Sequence, residues 1–392
     1  MRKITADIVF TGNDESRKNT VIVTDAEGKV LSLESRENFE DAGLEIYSGA
    51  LCPGLVNTHC HLELSHLKGK IPEKTGLVNF LKPIIKIRQA DQEIIQDAIQ
   101  RADEEMWENG IVAVGDISNL TDSFSVKSGS KIHYHTFVEI LGIGPERAAQ
   151  IFADGQEVQK QAKQLGLKAS IVPHASYTVS PQLLQLIGEK AEKNGEIISF
   201  HNQECEAENE FYQTKTGGFA KVYEELGINI ENFAATGKNA LESTVQHLSN
   251  SNNILLVHNT FSKTEDVKWA HNFSKHIYWA TCPNANFYIE DSLPDYHIFE
   301  EENAKLTIGT DSLTSNWQLS IWEEMKTITK HNPQIPDETL ISWATKNGAE
   351  SLGIADQFGS LETGKIPGLN LIENTGVQQR FINSTSTIKK IL

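Results

Sequence analysis

The chain has 392 residues, 39% of them apolar and 22% charged, and carries a formal net charge of −18. Its length allows one large domain plus a smaller one around a sizeable core, and the composition is that of an ordinary globular protein. The acidic balance argues against nucleic acid and anionic membrane as partners, since both require a basic footprint.

The N-terminal MRKITADIVFTGND has only a four-residue apolar run, too short for a signal-peptide core. No stretch reaches the roughly 18 apolar residues of a membrane span. The four cysteines, Cys52, Cys60, Cys205 and Cys282, are widely spaced and form no CxxC pair, which fits free thiols in a reducing cytoplasm. A cytoplasmic location is therefore expected.

The first fifty residues read as short strands broken by turns: ADIVF, NTVIVTD and KVLSLE. From LCPGLV onward, short apolar strands alternate with longer helical patterns. Eight strands are expected, in PGLVNTH, GIVAVGD, KIHYHTFVEI, LKASIVPH, EIISFH, NILLVH, HIYWATCP and KLTIGTD. Between them lie helical stretches such as LVNFLKPIIKIRQADQEIIQDAIQRADEEMW, PERAAQIFADGQEVQKQAKQL and SPQLLQLIGEKAEKNG. The last opens on Ser180 and Pro181, an N-cap followed by proline at the first helical position. Two further helical segments, QLSIWEEMKTITKH and PDETLISWATKNGAESLGI, precede a β-like tail, GSLETGKIPGLNLIEN.

Eight βα units predict an α/β fold of the (β/α)8 TIM-barrel type, and no dinucleotide-binding glycine fingerprint follows the first strand. The terminal β segments predict a small discontinuous β-sandwich. The expected division is 1–50 and 357–392 for the sandwich and 51–356 for the barrel.

Residues two apart in a strand share a face, so His59 and His61 of NTHCHLELSH project together from the end of the first barrel strand. The C-terminal strand ends form the active-site face of such a barrel. Other strand ends carry similar chemistry: His174 in VPHASYTVS, His201 and Glu204 in ISFHNQE, His258 in LLVHN and Asp311 in TIGTD. Neutral imidazoles and a carboxylate are ligands for zinc and similar ions. Cys60 and Cys205 flank these residues, but Cys60 should point away from His59 and His61 and pack instead.

The motifs HCH after a PGL-type strand, HNQE, VHN and GTDSLTSN, in this order, resemble the amidohydrolase superfamily over nearly the whole chain. Within it they look like the branch of cytosine, guanine and S-adenosylhomocysteine deaminases and chlorotriazine hydrolases. The runs PHASYTVS, LLVHNTFS, ATCPNANF and TDSLTSNWQLSIWEEM are nearest to aminodeoxyfutalosine deaminases. The resemblance implies one divalent ion, Zn2+ or alternatively Fe2+, held by His59, His61, His201 and Asp311. No lysine stands at the end of the fourth strand, where His174 is found, and this favours a mononuclear centre.

The resemblance also makes Glu204 a proton shuttle, His258 a group holding the nucleophilic water, and Asp311 an acceptor of that water's first proton. Such chemistry replaces a ring amino group by oxygen; bound Zn2+ can bring the pKa of water down to about 7, and a nearby carboxyl can protonate the ring and the leaving amine. The expected partner is a small heterocyclic, nucleoside-like substrate, with 6-amino-6-deoxyfutalosine the leading candidate. Its alternatives are S-adenosylhomocysteine, methylthioadenosine, guanine or a pterin, or an amide or chlorinated ring in place of the amine. His174, Glu63 and Glu139 are the expected substrate contacts. Arg147, on the loop after the third strand, is the one cation considered for an anionic substrate group, and Asn284 and Asn286 for the pocket wall. A homodimer is the default assembly.

Overall fold

A computed structural model describes residues 1–231, 233–373 and 380–392. Asn374, the last residue of the expected β-like tail, lies outside the described residues. Seven short strands come first: β1 (Arg2–Thr5), β2 (Ile8–Phe10), β3 (Ser16–Arg17), β4 (Thr20–Thr24), β5 (Val30–Ser35), β6 (Glu45–Ile46) and β7 (Ala50–Pro53). The eight parallel strands follow as β8 (Leu55–Cys60), β9 (Ile111–Ser118), β10 (His133–Ile140), β11 (Lys168–Pro173), β12 (Ile198–Asn202), β13 (Ile254–His258), β14 (Ile277–Thr281) and β15 (Lys305–Ile308). The chain closes with β16 (Leu369–Glu373) and β17 (Thr387–Lys390).

The terminal strands form two sheets, ordered β5-β4-β1-β6 and β17-β16-β7-β2-β3. The second sheet interleaves both ends of the chain, since β16 pairs antiparallel with β7, which in turn pairs with β2. Ile4, Val9, Ile22, Leu51, Leu369 and Leu371 from the two sheets share one buried apolar cluster. Strand β1 was not expected from the sequence: RKIT is short and polar, and is fixed as a strand by pairing with β4 and β6.

The eight central strands fall where the sequence places them. They read as near-continuous apolar runs, as parallel strands covered on both faces must. ILLVH and IYWAT, for example, are buried at every position. They form two four-stranded parallel sheets, β11-β10-β9-β8 and β12-β13-β14-β15. The ladder is not continuous between these halves. One isolated bridge, Ala175 to His201, joins the first seam, and another, Cys60 to Asp311, joins the second.

The helical stretch after β8, read from sequence as one pattern, is two helices, Leu77–Ile87 and Gln92–Glu108. Between Ile87 and Ile94 the only apolar residue is Ala90, and Asp91 is the N-cap of the second helix, so the break left a local trace that was not read. The break coincides with tertiary contacts: His66 Nε2 lies 2.9 Å from the carbonyl of Arg88, and the Arg88 side chain pairs with Glu63. The helix over Pro181–Asn194 is capped as expected, with the Ser180 hydroxyl accepting from Leu183 N and Gly195 ending the helix at φ +65°. Between β12 and β13 the helices Glu206–Thr214, Gly218–Glu225 and Ala240–Val245 carry an aromatic cap. In it Tyr177 stacks on Phe219 at 3.9 Å and Phe211 on Phe233 at 4.3 Å.

Candidate active site

The seams carry the polar residues that sequence reading placed at strand ends. At the second, the amides of Thr310 and Asp311 both donate to the carbonyl of His59 at 3.0 Å. Gly309 makes this approach possible. A Cβ there would lie 2.8 Å from the His59 Cβ and 3.0 Å from both the Cys282 sulfur and the His59 carbonyl oxygen. At the first seam, the His201 amide donates to the His174 carbonyl at 2.9 Å.

Four side chains converge. His61 Nε2 is 3.1 Å from His59 Nε2 and 3.2 Å from His201 Nε2. Asp311 Oδ1 stands 3.3 Å from His61 Nε2 and 3.6 Å from His59 Nε2. All four residues are buried. His201 Nδ1 faces the His174 carbonyl at 2.8 Å, which fixes the proton on Nδ1 and leaves the Nε2 lone pair turned inward. Burial holds the pKa values of His61 and His201 well below the ordinary histidine range, so both rings are neutral. Burial acts to raise the Asp311 pKa, but the His59 hydrogen bond and the surrounding imidazoles hold it below the usual carboxylate range.

Three imidazoles whose ring nitrogens crowd one another, with an ionised carboxylate beside them, make a poor hydrogen-bonded cluster and a good ligand set. Bonds of 2.0–2.1 Å to a tetrahedral ion imply ligand edges of about 3.3 Å, and the observed separations bracket that figure. His59, His61 and His201, and separately His59, His258 and Asp311, bring their ligand atoms within 4.8 Å of one another.

Beside this cluster, Glu204 Oε1 lies 3.7 Å from His258 Nε2. His258 Nδ1 meets Asn286 Oδ1 at 2.9 Å, so Nδ1 carries the proton and Nε2 faces Glu204 as an acceptor. Burial brings the His258 pKa down to about 4. Burial, with Asp311 and Glu208 nearby, pushes the Glu204 carboxyl well above the ordinary range, so it holds a proton. His258 (φ +72°), Asn259 (φ +57°) and Asp311 (φ +56°) all adopt left-handed backbone conformations, a concentration of strain expected at a working site.

His174 sits at the edge of the group, its ring 4.8 Å from that of His201. Its Nδ1 is 2.8 Å from the Thr178 hydroxyl, which donates its own proton to the Ala175 carbonyl. The His174 Nε2 is therefore left as an acceptor. Glu139 Oε2 accepts from Asn119 Nδ2 at 2.9 Å, while its buried Oε1 has no hydrogen-bond partner and lies 3.5 Å from His201 Nδ1. Burial raises Glu139 to about 7. Glu63 is committed to the protein itself: it accepts from Arg88 and from the amides of Asn119 at 3.1 Å and Leu120 at 3.2 Å. Arg147 is exposed on its loop and makes no side-chain hydrogen bond or ion pair among the described residues.

The amidohydrolase family model matches residues 50–390. The chain belongs to that family. This amidohydrolase is 26% identical over 358 residues to an aminodeoxyfutalosine deaminase of Nitratiruptor sp., covering 88% of this chain and 85% of that one. It is 25% identical to an adenosine deaminase of Helicobacter pylori, over 88% of this chain and 83% of the relative. It is also 26% identical to a Bacillus cereus 5-methylthioadenosine/S-adenosylhomocysteine deaminase, over 86% and 76%. A solved aminofutalosine deaminase of Helicobacter pylori in complex with methylthio-coformycin superposes with a TM-score of 0.83, at 24% identity over 97% of this chain and 94% of that one. That likeness gives the fold, a TIM barrel. The amidohydrolase is thus a hydrolase acting on carbon–nitrogen bonds other than peptide bonds, and its donor set suits a divalent metal ion.

Several residues of the amidohydrolase site carry no strand-end motif and were not found from sequence. The Ser315 hydroxyl donates to Asp311 Oδ2 at 2.5 Å. Glu208 receives the amides of Gln203 and Glu204 at 3.2 and 2.7 Å and so sets the backbone that presents Glu204. Arg88 and Asn119 link Glu63 to Glu139. Glu208 left the one usable trace, an acid four residues after Glu204 at a helix start, which is a capping position. The buried Lys127 is paired with Asp116 at 2.5 Å on the helix after β9 and does not stand among the candidate ligands.

Proposed function

We propose that the protein is a metal-dependent hydrolytic deaminase of an amino-substituted, nucleoside-like N-heterocycle, with 6-amino-6-deoxyfutalosine the leading substrate. Futalosine and ammonia would be the products, in menaquinone biosynthesis. The observation that carries this reading is the buried Glu204 carboxyl facing His258 at 3.7 Å, beside the three-histidine and aspartate cluster. The names of the relatives, deaminases of adenosine-type compounds, support it.

In this reading His59, His61, His201 and Asp311 hold one divalent cation, Zn2+ or alternatively Fe2+. That cation supplies a Lewis acid able to make water nucleophilic near neutral pH. Glu204 gives its proton to the ring nitrogen as the water oxygen bonds to the amino-bearing carbon. His258 accepts or donates a hydrogen bond to the attacking oxygen and fixes its approach. Asp311 and the newly ionised Glu204 take up the two protons of the water; the one on Asp311 passes to the amine, which leaves as ammonia, and Glu204 is left protonated as at the start. His174 Nε2, an acceptor at the rim, is suited to a substrate N–H or hydroxyl. Glu139 Oε1 is the further proposed contact; Glu63, expected as one from sequence, is taken up by Arg88 and the Asn119 and Leu120 amides and positions Arg88 instead.

We also infer that the two terminal sheets are the layers of a small β-sandwich formed by 1–50 and 357–392 around a catalytic unit of 51–356. Their shared apolar cluster supports this, with strand Ala50–Pro53 straddling the first boundary. Four buried free cysteines support a cytoplasmic location. No helix among the described residues is long and apolar enough to cross a membrane.

Ammonia release is to be measured on aminodeoxyfutalosine, adenosine, methylthioadenosine, S-adenosylhomocysteine and guanine, with wild type and Glu204→Gln. Wild type should deaminate at least one of them. Glu204→Gln should keep its metal and lose on the order of 10³-fold or more in kcat. Wild-type silence across the panel with metal bound, or near-normal turnover by the variant, would remove the proposal; chloride or amide release would then point to the other hydrolytic chemistry of the superfamily.

A further inference from the structure

We infer that Arg88 is the specificity residue of this site and reads a carboxylate at the end of the substrate remote from the reacting ring. The inference rests on the deaminase reading above and narrows its substrate class.

Arg88 occupies the break between the helices Leu77–Ile87 and Gln92–Glu108. Three contacts hold it there. Its guanidinium donates to Glu63 through one terminal nitrogen and to Asn119 Oδ1 at 3.0 Å through the other, and its carbonyl faces His66 Nε2 at 2.9 Å. Asn119 passes the link on to Glu139 at 2.9 Å, and Glu139 reaches His201 at 3.5 Å. The guanidinium is therefore tied through two side chains to a candidate metal ligand. Its charge is felt within the site, where it helps to lower the His174 pKa and opposes the rise of Glu139.

A purely structural role, neutralising Glu63, accounts for only part of this arrangement. The Glu63 side chain is 2% exposed, but that of Arg88 is 31% exposed. Of the five N–H donors of an arginine, two meet protein acceptors among the described residues, leaving three that do not. A guanidinium held by two partners with donors to spare is suited to recognition of a carboxylate. The global charge makes the need plain. With a net charge of −18, the protein repels an anionic ligand at long range unless a fixed cation stands at the site. Arg147, considered for that task from sequence, is exposed on its loop without a hydrogen-bonded anchor among the described residues.

The test compares kcat/KM on aminodeoxyfutalosine, which ends in a carboxylate, with that on methylthioadenosine, which ends in a neutral thioether. Wild type should favour the carboxylate compound. Arg88→Met should lower the ratio of the two kcat/KM values at least 30-fold, chiefly through KM, and Arg88→Lys should restore part of it. Because Arg88→Met strands a buried carboxylate, Glu63→Gln/Arg88→Met serves as the folded control and should show the same fall in ratio. Equal losses on both compounds in the double variant, or an unmoved ratio, would overturn the role of Arg88 while leaving a deaminase. A wild type inert on the whole panel would instead sink the deaminase reading, and this inference with it.

Discussion

The placement of His59 and His61 was legible because strand alternation dictates that they share a face, and that of the other candidate ligands because they end strands of recognisable length. Arg88 was not, because nothing local in KIRQAD distinguishes a pocket arginine from a solvated one; Glu63, Asn119 and His66 select it from elsewhere in the chain. Gly309 is a middle case: a glycine before Thr310 and Asp311 is visible in the sequence, but the reason for it, the packed His59 and Cys282, is not. Replacing it with alanine should displace His59 by some tenths of an ångström, since a methyl group cannot be fitted there without movement. Gly309→Ala should therefore weaken metal affinity at least tenfold in a competition assay with a chromogenic chelator. An affinity equal to wild type would show that β15 does not set the ligand geometry.

At the scale of elements, all eight barrel strands stand where apolar runs and turn residues put them, whereas the long helical pattern after β8 is divided. The polar RQADQE with Asp91 as N-cap marks the division locally, and contacts from the HLELSH segment fix it. The helices of the aromatic cap were not named from sequence; they are short, and their apolar residues pack on one another and on the loops above the site. Within the strand framework, Lys127 and Asp116 form an ion pair with both side chains fully buried. Asp116 also accepts the Leu62 amide at 2.8 Å, next to His61. Removing one partner leaves an uncompensated buried charge, so Lys127→Met should cost about 3–5 kcal/mol in urea unfolding. Asp116→Asn/Lys127→Met should recover most of that loss. A single variant as stable as wild type would mean that the pair is dispensable to the barrel.

For the whole molecule, the strand ladder breaks between the two half-sheets, which are joined there by isolated bridges and by bonds such as Asn57 Nδ2 to Thr310 Oγ1, and the candidate ligands straddle the join. His59 and His61 come from the first half; His201 and Asp311 come from the second. An ion bound to all four would tie the halves together, and any ligand that binds only the folded form adds stability by mass action, about 2.7 kcal/mol at a hundredfold excess over Kd. Stripping the metal with dipicolinate should lower Tm by several degrees, and adding back Zn2+ should restore it. Identical melting before and after verified removal would mean that the halves hold without it.

The same division bears on how the protein is made. His59 and His61 leave the ribosome early and Asp311 late, with seven further barrel strands synthesised between them. A nascent chain can offer two imidazoles to a passing ion, but not the complete cage. On the proposed ligand set, full coordination would await release of nearly the entire polypeptide, and capture of a metal would be a checkpoint that only a complete barrel passes.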